Sequence, residues 1–169
     1  ASYRSHLRDV AAVPGISAIT TNAHSTEVAS CTFEEQIRVL AITQEEIGDR
    51  LPIVNGIYTD GTLEAQRLAR MAHDGGASAL LVFPSAIYTM GQRPEMVIEH
   101  FKRIAEVTDL PLIAFQYSIS GGQGYPLSTL MKLCDEVPSV AAIKDWSGTP
   151  VWVDRQVRAL QSRARPVNV

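Results

Sequence analysis

Cysteine is scarce in this chain. Cys31 and Cys134 are the two present, far apart and without metal-ligand spacing. That excludes a disulfide framework and a cysteine-built metal site, and both read as small core residues of a protein from a reducing compartment. No apolar stretch approaches the roughly 18 residues needed to cross a bilayer. The opening Ala1-Ser2-Tyr3-Arg4-Ser5-His6 lacks a secretory pattern. Runs of basic residues are missing too, and the net charge is −3, so neither nucleic acid nor a membrane surface is an expected partner. No Gly-x-Gly-x-x-Gly follows the first apolar run, which removes the usual reason to expect a dinucleotide cofactor. The expectation is a cytoplasmic protein with no metal and no cofactor.

What is present is ordinary globular material: 169 residues, 46% hydrophobic and 20% charged, enough for a single domain over 1–169 with a real core. Short β-branched runs alternate with longer amphipathic stretches. The pattern predicts strands at Ile16–Thr21, Ile53–Tyr58, Ala79–Phe83, Leu112–Tyr117, Val140–Lys144 and Val167–Val169. It predicts helices at Tyr3–Ala12, Thr32–Ile47, Thr62–His73, Pro94–Thr108, Pro126–Asp135 and Pro150–Gln161. Thr32 and Glu35 are spaced as a capping box. Pro126 and Pro150 suit a first helical position, while Pro14, Pro52, Pro111, Pro138 and Pro166 stand just before strands.

Strand starts recur about every 26 to 37 residues, the spacing of βα units. Continuous apolar strands with outer helices mean a parallel sheet, either a (β/α) barrel or an open doubly wound sheet. The chain opens inside a helix and stops inside a strand. The expectation is therefore an interior fragment of a (β/α)8 TIM barrel covering roughly strands 2 to 7, with the first strand and the C-terminal part absent.

The most informative residues are Val140-Ala141-Ala142-Ile143-Lys144, followed by Asp145-Trp146-Ser147-Gly148. A lysine on the last residue of a buried strand loses hydration, which favours the neutral, nucleophilic amine that Schiff-base chemistry requires. The plain alternative is a strand-end lysine that reaches into solvent.

These residues resemble the dihydrodipicolinate synthase / N-acetylneuraminate lyase family of class I aldolases, from about Pro14 to Gly148. Ala142-Ile143-Lys144-Asp145 with Gly148 is similar to the family's Schiff-base strand. Asn22–Glu27 ahead of the Thr32 helix, Val82-Phe83-Pro84, and Leu110-Pro111 leading into Phe115-Gln116-Tyr117 support it. The resemblance implies an eight-stranded barrel, usually a homotetramer, and an imine between Lys144 and a 2-oxo acid, usually pyruvate. It also implies departures. The family's glycine-threonine-threonine-glycine-glutamate loop looks like Ala23-His24-Ser25-Thr26-Glu27 here, with His24 in place of the first threonine. Its proton-carrying tyrosine falls on Phe115, and its paired tyrosines fall on Ser85 and Ala86, with Tyr88 two residues further on. The arginine that grips a second carboxylate has no counterpart in Ser118–Gly124, which disfavours lysine biosynthesis.

The site expected from this reading has Lys144 and Tyr117 as catalytic residues and His24, Ser25 and Phe115 as substrate-binding residues. Tyr117 shares a strand face with Phe115 and could supply the missing hydroxyl, or simply pack at the barrel mouth. Ser25 has the chemistry to bind a carboxylate, and His24 that of a loop base. Glu27 is expected to accept backbone N–H groups of its own loop, Asp145 to be a structural partner, Tyr58 to pack at its strand end, and Ser118–Gly124 to be a flexible substrate loop. The function this points to is a lyase acting on a pyruvate-like or 2-keto-3-deoxy sugar acid. The alternative is a non-catalytic barrel that binds such acids and has lost turnover.

Overall fold

Periods of two and 3.6 in the apolar residues become, in the computed structural model describing residues 2–169, five parallel strands alternating with six helices. The helices are α1 (Ser2–Ala11), α2 (Phe33–Ile47), α3 (Thr62–Asp74), α4 (Pro94–Ala105), α5 (Leu127–Glu136) and α6 (Pro150–Gln161). The strands are β1 (Ile19–Thr21), β2 (Ile53–Ile57), β3 (Ala79–Val82), β4 (Leu112–Gln116) and β5 (Val140–Asp145). Their order in the sheet is their order in the chain.

That order decides between the two architectures the sequence left open. A doubly wound sheet reverses its strand order and carries helices on both faces. Here the main core packs Leu40, Leu68, Phe101, Leu133 and Leu160 of α2–α6 against Ile53, Ile57, Leu80, Val82, Leu112 and Val140 of the strands. A second, smaller cluster of Ala23, Leu81, Phe83 and Phe115 holds no helical residue. All the helices that pack on the sheet therefore cover one face, and the other face is open. The sheet is singly wound.

Several boundaries differ from the sequence reading for identifiable reasons. β1 starts at Ile19 because Ile19 pairs with Ile53, so residues 16–18 run past the start of β2, where Pro52 has no N–H to offer. α4 stops at Ala105, and Thr108 Oγ1 accepts the Leu110 N–H at 3.2 Å as the chain turns towards Pro111. Pro126 is the N-cap of α5, one position outside the expected first turn, whereas Pro150 does open α6. Residues 167–169 form no strand: Asn168 makes one isolated bridge with Ala142. The Thr32–Glu35 capping box is present in both directions, at 2.8 and 3.2 Å. Cys134 is buried in α5, but Cys31 is half-buried in a loop and lines a surface cavity instead of the core.

One buried residue changes charge on mild acidification. His100 of α4 is buried, shares a 2.9 Å hydrogen bond with Thr62 Oγ1, and has no partner for Nε2 among the described residues. Burial disfavours the imidazolium and lowers its pKa from 6.5 to about 4. Between those values the unfolded chain binds a proton that the folded chain refuses, so stability falls as the pH falls from 6.5 to about 4. At about 1.4 kcal/mol per unit, the loss is on the order of 3 kcal/mol. Urea unfolding at pH 7 and pH 4.5 should show this drop in the wild type and a clearly smaller one in His100→Gln.

Candidate functional site

The open face is where strand alternation gathers the chemistry. On it stand Thr20 of β1, Val54 and Gly56 of β2, Leu81 of β3, Ile113 and Phe115 of β4, and Lys144 of β5, with Tyr58, Phe83, Tyr117 and Trp146 just past their strands. The rings form a row. His24 stacks on Tyr58 (centroids 5.4 Å apart), Tyr58 meets Phe83 edge-on (5.5 Å), and Phe83 stacks on Phe115 (4.6 Å). Phe115 touches Tyr117 (4.7 Å), and Trp146 closes the row against Tyr117 at 5.7 Å. Lys144 pairs in register with Phe115, and its Nζ lies 4.4 Å from that ring's centroid, within cation–π reach.

These groups surround a cavity of about 400 Å³. Its polar wall is Thr20, His24 and Ser25 at the β1 side; its apolar lining is Ala23, Leu81, Phe83, Phe115 and Trp146; Lys144 stands on the edge strand β5. Four of the five residues expected from the sequence thus line one space. Tyr117 does not line it, but it packs beside it on Phe115 and Trp146. Desolvation first, and the neighbouring Tyr58 second, raise the Tyr117 pKa, so its phenol stays protonated and able to donate at neutral pH.

The polar wall is set by backbone, not charge. Asn22 takes a left-handed conformation (φ 51°) and donates Nδ2 to the Gln36 carbonyl at 3.0 Å and to Asn55 Oδ1 at 2.9 Å, both buried. The Asn22 carbonyl then lies so close to β2 that a Cβ on Gly56 would sit 2.1 Å from its oxygen, and only glycine fits. Thr26 closes the loop, its Oγ1 accepting from Ala23 N at 2.9 Å and donating to the Ala23 carbonyl at 2.8 Å. This corrects the role expected of Glu27, which is exposed and serves through its left-handed backbone (φ 57°). Threonine two residues past His24 has the shorter reach, which is why it takes the bonds.

Lys144 requires a larger correction. The sequence places its amine in a dry strand end, but the side chain is exposed, because no second layer covers this face of the sheet. Its neighbour Asp145 faces the helices as the alternation predicts. Asp145 Oδ1 accepts from Ser147 N at 2.9 Å and Ser147 Oγ at 2.8 Å, and Oδ2 accepts from Gln156, fixing the turn beyond β5.

Tyr88 is not at the site. It is buried beside Tyr125 in the helix layer, and burial pushes its pKa to about 12. The turn that carries it is tied down by Asp60 Oδ1, which accepts from Ser85 Oγ at 2.9 Å and Ala86 N at 2.6 Å. Ser118–Gly124 is a tight turn, not an open loop. Buried Gln116 exchanges two hydrogen bonds with the Tyr125 backbone, at 2.9 and 2.8 Å, and a Cβ on Gly124 would meet the Tyr117 carbonyl at 2.4 Å. Sequence reasoning missed Gly56 and the place of Tyr58 in the ring row. The spacing Gly56-x-Tyr58, in phase with Leu81-x-Phe83 on the next strand, was the available signal. Among the described residues no group of three His, Cys, Asp or Glu side chains is arranged to hold a metal ion.

A singly wound parallel sheet with its helices on one face and a strand-end lysine at a cavity on the other defines the class as an α/β protein. Comparison with known proteins narrows the class. The sequence model of the Dihydrodipicolinate synthetase family matches residues 6–165, and the chain belongs to that family. It is 34% identical over 136 residues to 4-hydroxy-tetrahydrodipicolinate synthase of Sphingopyxis alaskensis, covering 79% of this chain and 45% of that one. It is 31% identical over 121 residues to the synthase of Chlorobium limicola, covering 72% and 40%. The chain thus spans less than half the length of these relatives. Among solved structures, chloride-inhibited dihydrodipicolinate synthase from Acinetobacter baumannii complexed with pyruvate superposes with a TM-score of 0.85 at 25% identity, over 99% of this chain and 56% of that one.

Because the His24–Ser25 loop rests on Gly56, Gly56→Ala should force the Asn22 backbone outward. Overpacking of this kind costs about 1–3 kcal/mol. Thermal unfolding should show a lower Tm for the variant; an unchanged Tm would mean the loop is not held by this contact.

Proposed function

We propose that the protein is a lyase of the dihydrodipicolinate synthase / N-acetylneuraminate lyase type that acts on a 2-oxo acid through a Schiff base on Lys144. The observation that carries this is the position of Lys144. Its amine stands at the C-terminal end of a parallel strand, against the Phe115 ring and in the same cavity as the Ser25 loop. Strand C-termini are where singly wound α/β sheets carry their chemistry.

In this reading Nζ attacks the C2 carbonyl of the oxo acid and water leaves, giving a protonated imine that withdraws electrons from C3. Loss of a C3 proton, or cleavage of the C3–C4 bond, then becomes feasible. The exposed backbone and hydroxyl of Ser25 hold the carboxylate, in a loop without arginine, as backbone N–H groups can. Phe115 cannot move a proton. Its π-face instead supports the positive charge of the ammonium and of the imine that replaces it. Tyr117, protonated and adjacent, and His24, across the cavity, are the groups available for proton transfer.

The same proposal includes a closed eight-stranded barrel, of which these five strands are a part, in a homo-oligomeric protein with small-molecule substrates. Closure would bring a second wall over the open face and remove Lys144 from water, the condition its nucleophilicity needs. Superposition on a synthase structure about twice as long supports this reading.

Borohydride reduction of the full-length protein with pyruvate should leave a stable adduct whose mass maps to the Lys144 peptide, and Lys144→Ala should give none. An adduct of equal yield in the alanine variant would overturn the assignment. Ser25→Ala should still form the adduct but need more pyruvate, since a hydrogen bond to a charged group is worth about 1.5–3 kcal/mol. Titration of adduct yield against pyruvate concentration reads this directly.

A further inference from the structure

We propose that His24 takes the proton from C3 of the imine and that Tyr58 is the residue that positions it. This rests on the Schiff-base reading above and assigns the proton-transfer step of that same site.

The place of His24 carries the first half. It lines the cavity that also holds Ser25 and Lys144, and it adjoins Ser25 in the chain. A short oxo acid with its carboxylate on the Ser25 loop and C2 on Lys144 has C3 inside this same space. Imidazole is the side chain that offers both a free lone pair and a transferable proton at neutral pH. The Tyr117 phenol, which burial keeps protonated, can donate there but is a poor acceptor. It suits the opposite transfer, to an oxygen that gains charge.

The second half comes from β2. Tyr58 does not line the cavity; it stands behind His24. The two rings lie 23° from parallel with centroids 5.4 Å apart, the range of an offset stack. Tyr58 is itself half-buried, meets Phe83 edge-on at 5.5 Å and packs against the cluster of Ala23, Leu81, Phe83 and Phe115. Loop and strand meet in step: the Asn22 carbonyl comes against Gly56, and two residues further along each segment His24 comes against Tyr58. One contact places the loop backbone, and the other backs one face of the imidazole. A ring supported on its face keeps both nitrogens, which lie at its edge, available to substrate. Restricting its orientation in this way is what makes a nearby base an efficient one.

The step balances within the site. The C3–H bond of the protonated imine breaks and its proton goes to an imidazole nitrogen of His24. The electron pair left behind forms the C2–C3 double bond, and the pair of the C2–N double bond passes to nitrogen. The products are a neutral enamine and an imidazolium. In heavy water the imidazolium exchanges its proton and returns a deuteron to C3. Hydrolysis of the imine then releases pyruvate labelled on its methyl group, without a second substrate.

The test uses the full-length protein with pyruvate in heavy water, following loss of the methyl proton signal by NMR, with borohydride trapping measured alongside. An adduct on Lys144 is expected in the wild type, His24→Ala and Tyr58→Ala alike. Exchange should fall about 100-fold or more in His24→Ala, the lower end of what a general base contributes. Tyr58→Ala should lose about tenfold or more in kcat for exchange with KM for pyruvate unchanged, and Tyr58→Phe, which keeps the ring face, should recover the loss. A merely structural role would loosen the whole loop and raise KM through Ser25. Exchange that survives His24→Ala, an adduct without exchange in the wild type, a Tyr58→Ala loss confined to KM, or no recovery in Tyr58→Phe overturns the assignment and leaves the Schiff base standing. Failure to trap pyruvate at all overturns both.

Discussion

Winding the chain in one direction is the constraint on which everything else depends. Five parallel strands laid down in chain order put every crossover helix that packs on the sheet on the same face, and the apolar side chains of that face fill a single core with those helices. The strands' other residues are then released from helix packing. Because side chains alternate, the released set is as strictly ordered as the core: Phe115 faces Lys144 by register, and Tyr117 and Trp146 follow two residues beyond each. The row of rings from His24 to Trp146 is a consequence of that alternation across adjacent strands, not a separate structural device.

Loops at the strand ends are placed by hydrogen bonds, those of buried amides and of the Asp60 and Asp145 carboxylates, and by close backbone contact. Buried Asn22, Asn55 and Gln116 are each satisfied at least in part by backbone or by one another. Such groups are costly to leave unpaired, so each admits few loop conformations. The ion pairs, by contrast, lie outside. Arg4 and Arg8 meet Glu45 and Glu46 across α1 and α2, and Lys102 meets Glu136, all at least partly exposed, where such pairs contribute little. The site is thus built with few charges around it, which leaves the Lys144 amine as its dominant electrostatic feature.

Much of this was legible in the sequence, for reasons that differ by element. α2 announced itself through Thr32 and Glu35, since a capping box is a local signal, and β2 to β5 through β-branched runs bounded by proline. The wall of the cavity was legible because His24, Ser25 and Phe115 lie at strand ends that a parallel sheet must bring together. What escaped was long-range. The span of β1 depends on where β2 begins, and the need for glycine at 56 depends on a carbonyl 34 positions earlier in the chain. The place of Tyr88, two residues past Ala86, is likewise set at a distance: a short turn held by Asp60 carries it into the helix layer. The exposure of Lys144 depends on what covers the open face, which no local pattern of residues encodes.

The central claim is that this open face, with Lys144 at its rim, is where a 2-oxo acid becomes covalently bound. A crystal structure of the full-length protein soaked with pyruvate tests it most directly. The account predicts continuous density from Lys144 Nζ to C2 of pyruvate, with the carboxylate on the Ser25 loop and the Phe115 ring flat against the imine. Pyruvate bound elsewhere, with Lys144 unmodified, would contradict it.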